Sequence, residues 1–250
     1  MHTSNLIELL VSLVLEIWLV VLVFKRRIRH LFPVFFTFTL YTALVTIARL
    51  ATAGHYRSYF YVYWCTDALL VIFSLASLHE VFHWVFEGFY RLWWFRLFYY
   101  GTITVALAIA VRSAFVSPPV HAHPVISLIL DIGIAVNFVL AGIVALFYVL
   151  KKLIGIEPTR YAYGIVAGFG ISSGGFLIAY LLFSGFGTKV DSFARNAPAV
   201  AYILGVAIWV ASFIRPEPEE KEWQPPMSPE QMLEEVQGYL RALGLLKRKQ

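Results

Sequence analysis

The sequence predicts an all-α integral membrane protein: a bundle of seven transmembrane helices with a short cytoplasmic amphipathic helix at its C-terminus. Composition is the first reason, because hydrophobic residues make up 60% of the chain and charged residues 14%, against roughly 45–50% and 25% in soluble domains. The second is that apolar residues gather in runs of about 20, the length a helix needs to cross about 30 Å of hydrocarbon. A soluble globular domain is thereby excluded.

Polar breaks separate seven apolar runs, and each run is predicted to form one membrane span. In chain order the predicted spans are Asn5–Phe24, Leu31–Leu50, Tyr59–Phe82, Leu97–Val111, Pro124–Leu150, Tyr161–Phe183 and Ala197–Ile214. The fourth is the shortest and the fifth the longest, so we expect the fifth to tilt or to kink near Pro124. Residues 1–214 thus form the predicted transmembrane domain.

The positions of lysine and arginine predict the orientation of this domain. Fifteen of the 20 basic residues follow the odd-numbered spans or lie in the tail, and five lie on the opposite side. Because cytoplasmic loops carry the excess of basic residues, we predict an N-terminus outside the cell membrane and a C-terminus in the cytoplasm. Met1–Ser4 carry no positive side chain, so the first run is expected to be a retained span rather than a signal peptide.

Small residues distinguish the sixth span. Gly164, Gly168, Gly170 and Gly174 form two interleaved small-xxx-small patterns, which allow helix backbones to approach closely. The pattern favours tight packing against a neighbouring helix. The alternative is a locally unwound stretch that lines a cavity.

After Ile214 the composition changes. Residues 215–227 are rich in proline and glutamate and are predicted to form a linker. Residues 228–250 open with a serine N-cap and a proline at N1, and their apolar positions recur at helical spacing, which predicts an amphipathic helix. This helix is expected to lie on the inner membrane surface, to pack beneath the bundle or to bind a cytoplasmic protein partner. Basic residues lie in short clusters rather than along one face, so nucleic acid is not an expected partner.

An H-E-x-x-H motif ends the third span. On a helix it places His79 and His83 on one face with Glu80 as a general base, as in zinc proteases. A third protein ligand is needed, yet Asp131 lies about 10 Å below the outer end of its span and His79 about 30 Å below the outer end of its own. The two cannot share a metal. We therefore predict no metal site and interpret the motif as a snorkelling or hydrogen-bonded helix end, with His79, His83 and Glu80 as the weak alternative.

The same stretch carries a family resemblance. Its residues are Glu80, Phe82, Val85 and Phe86, followed by Tyr90 and Arg91. This pattern resembles the end of the third helix in a group of uncharacterised bacterial membrane proteins, which also span seven times and end in a short charged helix. In that group the glutamate recurs and the histidines do not. The resemblance argues against a metalloprotease and implies no activity.

Ionisable residues inside the predicted spans are the candidates for a ligand or ion cavity, because burying them in a bilayer costs several kcal/mol unless they are partnered. Asp67 and Asp131 lie at matching depths, about 12 Å and 10 Å below the outer ends of the third and fifth spans. Arg49 can reach towards them from the second span. With Asn137 and Glu16 they form a predicted outward-facing polar cavity. The alternative is a network that only sets helix packing.

Several function classes are excluded. The seventh span has no lysine for a retinal Schiff base, and all seven histidines lie at helix ends or in loops, where they cannot hold haem between helices. Cys65 is the single cysteine, so no cysteine-based metal site is expected, and no cofactor is predicted. The sequence favours a non-enzymatic sensor, receptor-like module or scaffold. The alternatives are an ion- or proton-coupled transporter or channel and, after it, the metalloprotease; oligomeric state stays open.

Overall fold

The computed structural model describes residues 3–217, apart from 53, 91–92, 117–123 and 187–190. Within this part of the chain every element of regular structure is helical, which confirms the all-α class. The side chains of some helical residues, Asp131 among them, lie outside the described set. The chain divides into two units after Pro216. The structure describes the predicted linker only as far as residue 217, and the predicted helix at 228–250 lies outside the described residues.

The described helices follow the apolar runs of the sequence. They are α1 (Thr3–Lys25), α2 (Ile28–Leu31), α3 (Pro33–Thr52), α4 (Tyr56–Val85), a short 3-10 helix (Glu87–Phe89), α5 (Trp93–Val116), α6 (Pro124–Ile154), α7 (Arg160–Phe186) and α8 (Asp191–Ile214). The second predicted span differs, because Leu31 belongs to α2 and the long helix begins at Pro33. Proline is favoured at the first position of a helix, where its missing N–H is not needed.

Among the residues that the structure describes, five helical segments are long and apolar enough to cross a membrane. They are Pro33–Thr52, Arg57–Val85, Gly133–Leu153, Arg160–Leu182 and Asn196–Ile214. Their outward faces carry exposed apolar side chains, such as Leu44 at 56%, Ile72 at 61% and Leu204 at 52% exposure. Apolar surface of this extent is rare on soluble monomers and is compatible with contact with lipid.

The ends of α6 show how local sequence sets the helices. Pro124 is the first residue of α6, a position where its missing N–H is not needed. At the other end Gly155 adopts a left-handed φ of +73°, and its N–H donates to the carbonyl of Lys151 at 3.0 Å. Glycine adopts this conformation without a steric penalty and satisfies a free carbonyl of the last turn.

Six of the long helices form a closed ring. In order around the ring α1 packs against α3, α3 against α4, α4 against α6, α6 against α7, α7 against α8, and α8 against α1. The seventh long helix, α5, lies outside the ring against α6. The ring has two ends, which we call the Arg49 end, where α1 begins and α3 ends, and the Glu80 end, where α4 ends.

The two ends are filled differently. At the Glu80 end the interior is packed with aromatic side chains, and Phe82, Phe86, Phe147 and Phe213 are all completely buried. Neighbouring rings lie in contact, with centroids 4.8 Å apart for Phe82 and Phe86 and 5.6 Å apart for Phe86 and Phe147. This half of the bundle is solid, and the interior space lies in the other half.

Small residues join α7 to α8, as the glycine pattern favoured. A methyl group built on Gly164 would overlap Ser212, one on Gly168 would overlap the Trp209 indole, and one on Gly175 would overlap Ala201. Because α7 is an unbroken α-helix from Arg160 to Phe186, the alternative of an unwound stretch is wrong. Gly174, by contrast, has no atom within 4 Å of an added methyl group, so it is not part of this contact.

Candidate functional site

A cavity of about 580 Å³ occupies the Arg49 half of the ring. All six ring helices line it. Four of the five residues predicted to form a polar cavity, Glu16, Arg49, Asp67 and Asn137, are among its lining residues. The side chain of the fifth, Asp131, lies outside the described residues. The structure thus gathers into one space residues that are up to 121 positions apart in the chain.

An ion pair lies at the rim of this cavity. Arg49 Nη2 lies 3.4 Å from Asp67 Oδ1 and donates to Thr66 Oγ1 at 3.2 Å and to the carbonyl of Tyr63 at 3.4 Å. The guanidinium carbon also lies 4.3 Å from the centroid of the Tyr63 ring. All these partners belong to α4. The guanidinium of Arg49 therefore links α3 to α4.

Changing Arg49 to alanine is expected to lower the free energy of unfolding by about 1 to 3 kcal/mol, because Asp67 loses its charged partner. The loss should lie towards the lower end of this range, because the Asp67 side chain is 35% exposed and water can screen its charge. Adding Asp67→Asn should restore part of the loss. Thermal unfolding of both single variants and of the double variant in detergent measures this, and strictly additive losses would show that the two residues do not interact.

Glu16 is the deeper charged group of the cavity. Its side chain is 1% exposed, and its Oε1 accepts hydrogen bonds from Ser12 Oγ at 3.0 Å and from the Tyr202 hydroxyl at 2.7 Å. Among the described residues the other oxygen, Oε2, is buried and has no hydrogen-bond partner. A buried carboxylate oxygen without a partner is costly, so this atom marks a position where a ligand group could bind.

Aromatic rings close the cavity from below. Phe38, Phe169 and Trp209 form this aromatic floor, with centroid distances of 5.3 Å, 5.0 Å and 5.8 Å between the three pairs. Trp209 is fixed in place, because its Nε1 donates to the carbonyl of Ile165 at 3.1 Å. Beyond the floor Phe35 and Phe213 are completely buried and in ring contact, so packed aromatic side chains separate the cavity from the Glu80 end.

Asn137 lies in the cavity as predicted, and its hydrogen bond is made within its own helix. It lines the cavity, but its Nδ2 donates to the carbonyl of Gly133 at 2.8 Å, one turn earlier on the same helix. This contact satisfies one amide donor inside α6 and joins no other helix.

The glutamate of the H-E-x-x-H motif has a structural partner. Glu80 accepts hydrogen bonds from the backbone N–H groups of Val34 and Phe35, each at 3.0 Å. These belong to the first turn of α3, where Pro33 has no N–H and the N–H of Phe36 donates to the carbonyl of Phe32. Glu80 therefore completes the hydrogen bonding of the α3 N-terminus, and its negative charge favours that end of the helix dipole. Both carboxylate oxygens are engaged, which favours a cap over a general base.

The two histidines of the motif lie on an exposed face of α4. His79 Nδ1 and the Tyr99 hydroxyl share a hydrogen bond of 2.5 Å, and the His83 ring lies 4.6 Å from that of Tyr90. Burial raises the pKa of the Tyr90 hydroxyl, so this phenol stays neutral at physiological pH. Within the part of the chain that the structure describes, no three histidine, cysteine or acidic side chains are grouped so that they could hold a metal ion.

Sequence reasoning missed the partners of Glu16. Ser12 lies four residues before it on the same helix, a spacing that places both on one face and could have been noticed. Tyr202 lies 186 residues away and gave no sequence signal. The aromatic floor was missed for the same reason, since its three rings come from α3, α7 and α8.

Comparisons with known proteins give no match, whether with protein-family models, with curated proteins or with solved structures. The proposals that follow are therefore argued from the residues and their geometry.

Proposed function

We propose that all seven long helices cross the cell membrane, α1 and α5 included. Their 23 and 24 residues correspond to about 35 Å of helix, enough for the hydrocarbon layer. The position of α1 supports this, because α1 lies between α3 and α8 in the ring and thus beside two helices that are apolar enough to cross. Seven crossings place the two termini on opposite sides.

The excess of basic residues at the Glu80 end supports an orientation with that end in the cytoplasm. The Arg49 end, and with it the cavity, then faces outside. In this orientation the segment after α8 is cytoplasmic, and the predicted helix at 228–250 is the proposed contact with a cytoplasmic protein partner.

The function that the site supports best is a non-enzymatic, receptor-like sensor that binds a small ligand from outside. The observation that carries it is a blind polar cavity whose deepest charged group, Glu16, keeps one oxygen without a partner. A blind cavity suits binding better than conduction, because the aromatic floor interrupts any path across the bundle. Pockets of this volume are typical of small-molecule sites.

A transporter is the second candidate. It is favoured by one observation, that carboxylates lie at two levels of the cavity, Asp67 at the rim and Glu16 further in. Such a series can pass a cation or a proton inwards if the floor opens. Cation or proton uptake by purified protein in liposomes separates the two, since a receptor-like protein carries no flux.

The proposed function is tested by the access of water to the cavity. In a Cys65→Ser background, Asn137→Cys places a thiol at the cavity wall, where Asn137 is partly exposed. Small membrane-impermeant methanethiosulfonates applied to intact cells should modify it about tenfold faster than Ser77→Cys, which is fully buried in packed protein.

Two exposed positions serve as controls for orientation. Arg57→Cys at the Arg49 end should react in intact cells, and Lys152→Cys at the Glu80 end should react only after permeabilisation. If Asn137→Cys reacts no faster than Ser77→Cys before or after permeabilisation, the cavity is closed to water and the proposed function is wrong.

A further inference from the structure

We infer from the structure that the cavity binds a small organic cation, an amine whose ammonium group lies at Glu16 and whose apolar body lies against the aromatic floor. This inference rests on the proposed function, because the ligand must reach the cavity from water. It adds the chemical class of the ligand.

The charges around the cavity favour a cation. Among the described lining residues there are three carboxylates, Glu8, Glu16 and Asp67, and one cationic side chain, Arg49. Arg49 is paired with Asp67. Two acidic groups therefore remain uncompensated. A cleft of one charge sign between low-dielectric walls concentrates ions of the opposite sign.

The surroundings of Glu16 show where the ammonium would bind. Two hydroxyls, those of Ser12 and Tyr202, donate to Oε1, and both bonds suit an ionised carboxylate. Glu16 lines the cavity, and its Oε2 is buried without a hydrogen-bond partner among the described residues, although the Thr46 side chain also lies near this carboxylate. An ammonium N–H would supply both the missing hydrogen bond and the compensating charge, which is the condition under which a buried charge is stable.

The aromatic floor indicates an organic ligand rather than a bare ion. Phe38, Phe169 and Trp209 offer ring surface at the closed end of a space of about 580 Å³, far larger than a single ion needs. Aromatic rings attract ammonium groups electrostatically and also bury apolar carbon. A primary or methylated amine with an aliphatic or aromatic body fits both properties.

The first test compares charged reagents at Asn137→Cys in the Cys65→Ser background. Trimethylammonium-ethyl and sulfonato-ethyl methanethiosulfonates differ chiefly in charge, and each rate is divided by that of the reagent with a free thiol in solution. We expect the cationic reagent to react about tenfold faster. Glu16→Gln should reduce this ratio, while Glu157→Gln, an exposed carboxylate between α6 and α7, should leave it unchanged.

The second test uses simple probes as competitors. Phenethylammonium should slow the modification of Asn137→Cys more than phenethyl alcohol, which has the same body without the charge, and more than phenylpropionate, which carries the opposite charge. Glu16→Gln should remove the advantage of the amine. The comparison of amine with alcohol needs no change at Glu16, so it remains decisive even if that variant fails to fold.

The outcomes separate this inference from the proposed function. If neither reagent modifies Asn137→Cys, the cavity is closed and both the proposed function and the cation inference are wrong. If both reagents react but the anionic one is as fast as the cationic one, or the amine protects no better than the alcohol, the cavity is open and the cation inference alone is wrong.

Discussion

Replacing Glu80 with alanine is expected to lower the free energy of unfolding by about 2 to 4 kcal/mol. The substitution leaves the N–H groups of Val34 and Phe35 without acceptors at a part-buried helix end, and it removes a favourable charge from the helix dipole. In thermal unfolding in detergent this corresponds to a fall in Tm of about 5–15 °C.

Two variants make this result specific to the cap. Glu80→Gln keeps one acceptor oxygen and should lose roughly half as much. Glu87→Ala removes an exposed carboxylate seven positions later and should change the Tm very little. If Glu80→Ala and Glu87→Ala have equal Tm values, the cap contributes nothing to stability. A role of Glu80 together with the neighbouring histidines would then be the favoured interpretation.

Gly168→Ala is expected to destabilise the bundle by about 1 to 3 kcal/mol, the usual cost of overpacking a tight interior. The new methyl group would overlap the Trp209 indole, which is 1% exposed and hydrogen-bonded to Ile165, so it cannot easily turn aside. The effect should appear as a lower Tm in detergent, and it should extend to the aromatic floor of the cavity, to which Trp209 belongs.

Gly174→Ala is the matched control, because it lies on the same helix with no atom within 4 Å of an added methyl group. Alanine is the better helix former, so this variant should be neutral or more stable by about 0.5 to 1 kcal/mol. Opposite signs at positions 168 and 174 would identify the α7–α8 contact as the cause. Destabilisation of equal size at both positions would contradict it.

The sequence predicted the helices because each apolar run has the length and composition of a membrane span, and the helices begin and end within a few residues of those runs. Matching depths along different spans also predicted that Arg49 could reach the level of Asp67, and the structure places them 3.4 Å apart. Both inferences need only one-dimensional information, the rise per residue and the position of polar side chains along each helix.

Contacts between distant helices could not be predicted in this way. Glu80 looked like part of a metal motif because one histidine directly precedes it and another follows three positions later, while its partners are backbone groups 45 and 46 residues earlier. Which helix lies beside which is decided by packing, and no periodicity in the chain carries that information. The same holds for Glu16 and Tyr202.

The closure of the ring between α1 and α8 has a consequence for the order of assembly. Glu16 belongs to α1, and the Tyr202 hydroxyl that contacts it is made 186 residues later, in α8. Until α8 has inserted, the cavity lacks one wall, part of its floor and one donor to its deepest carboxylate. The cavity is therefore complete only after the ring has closed, and the contact between Glu16 and Tyr202 forms only at that stage of assembly.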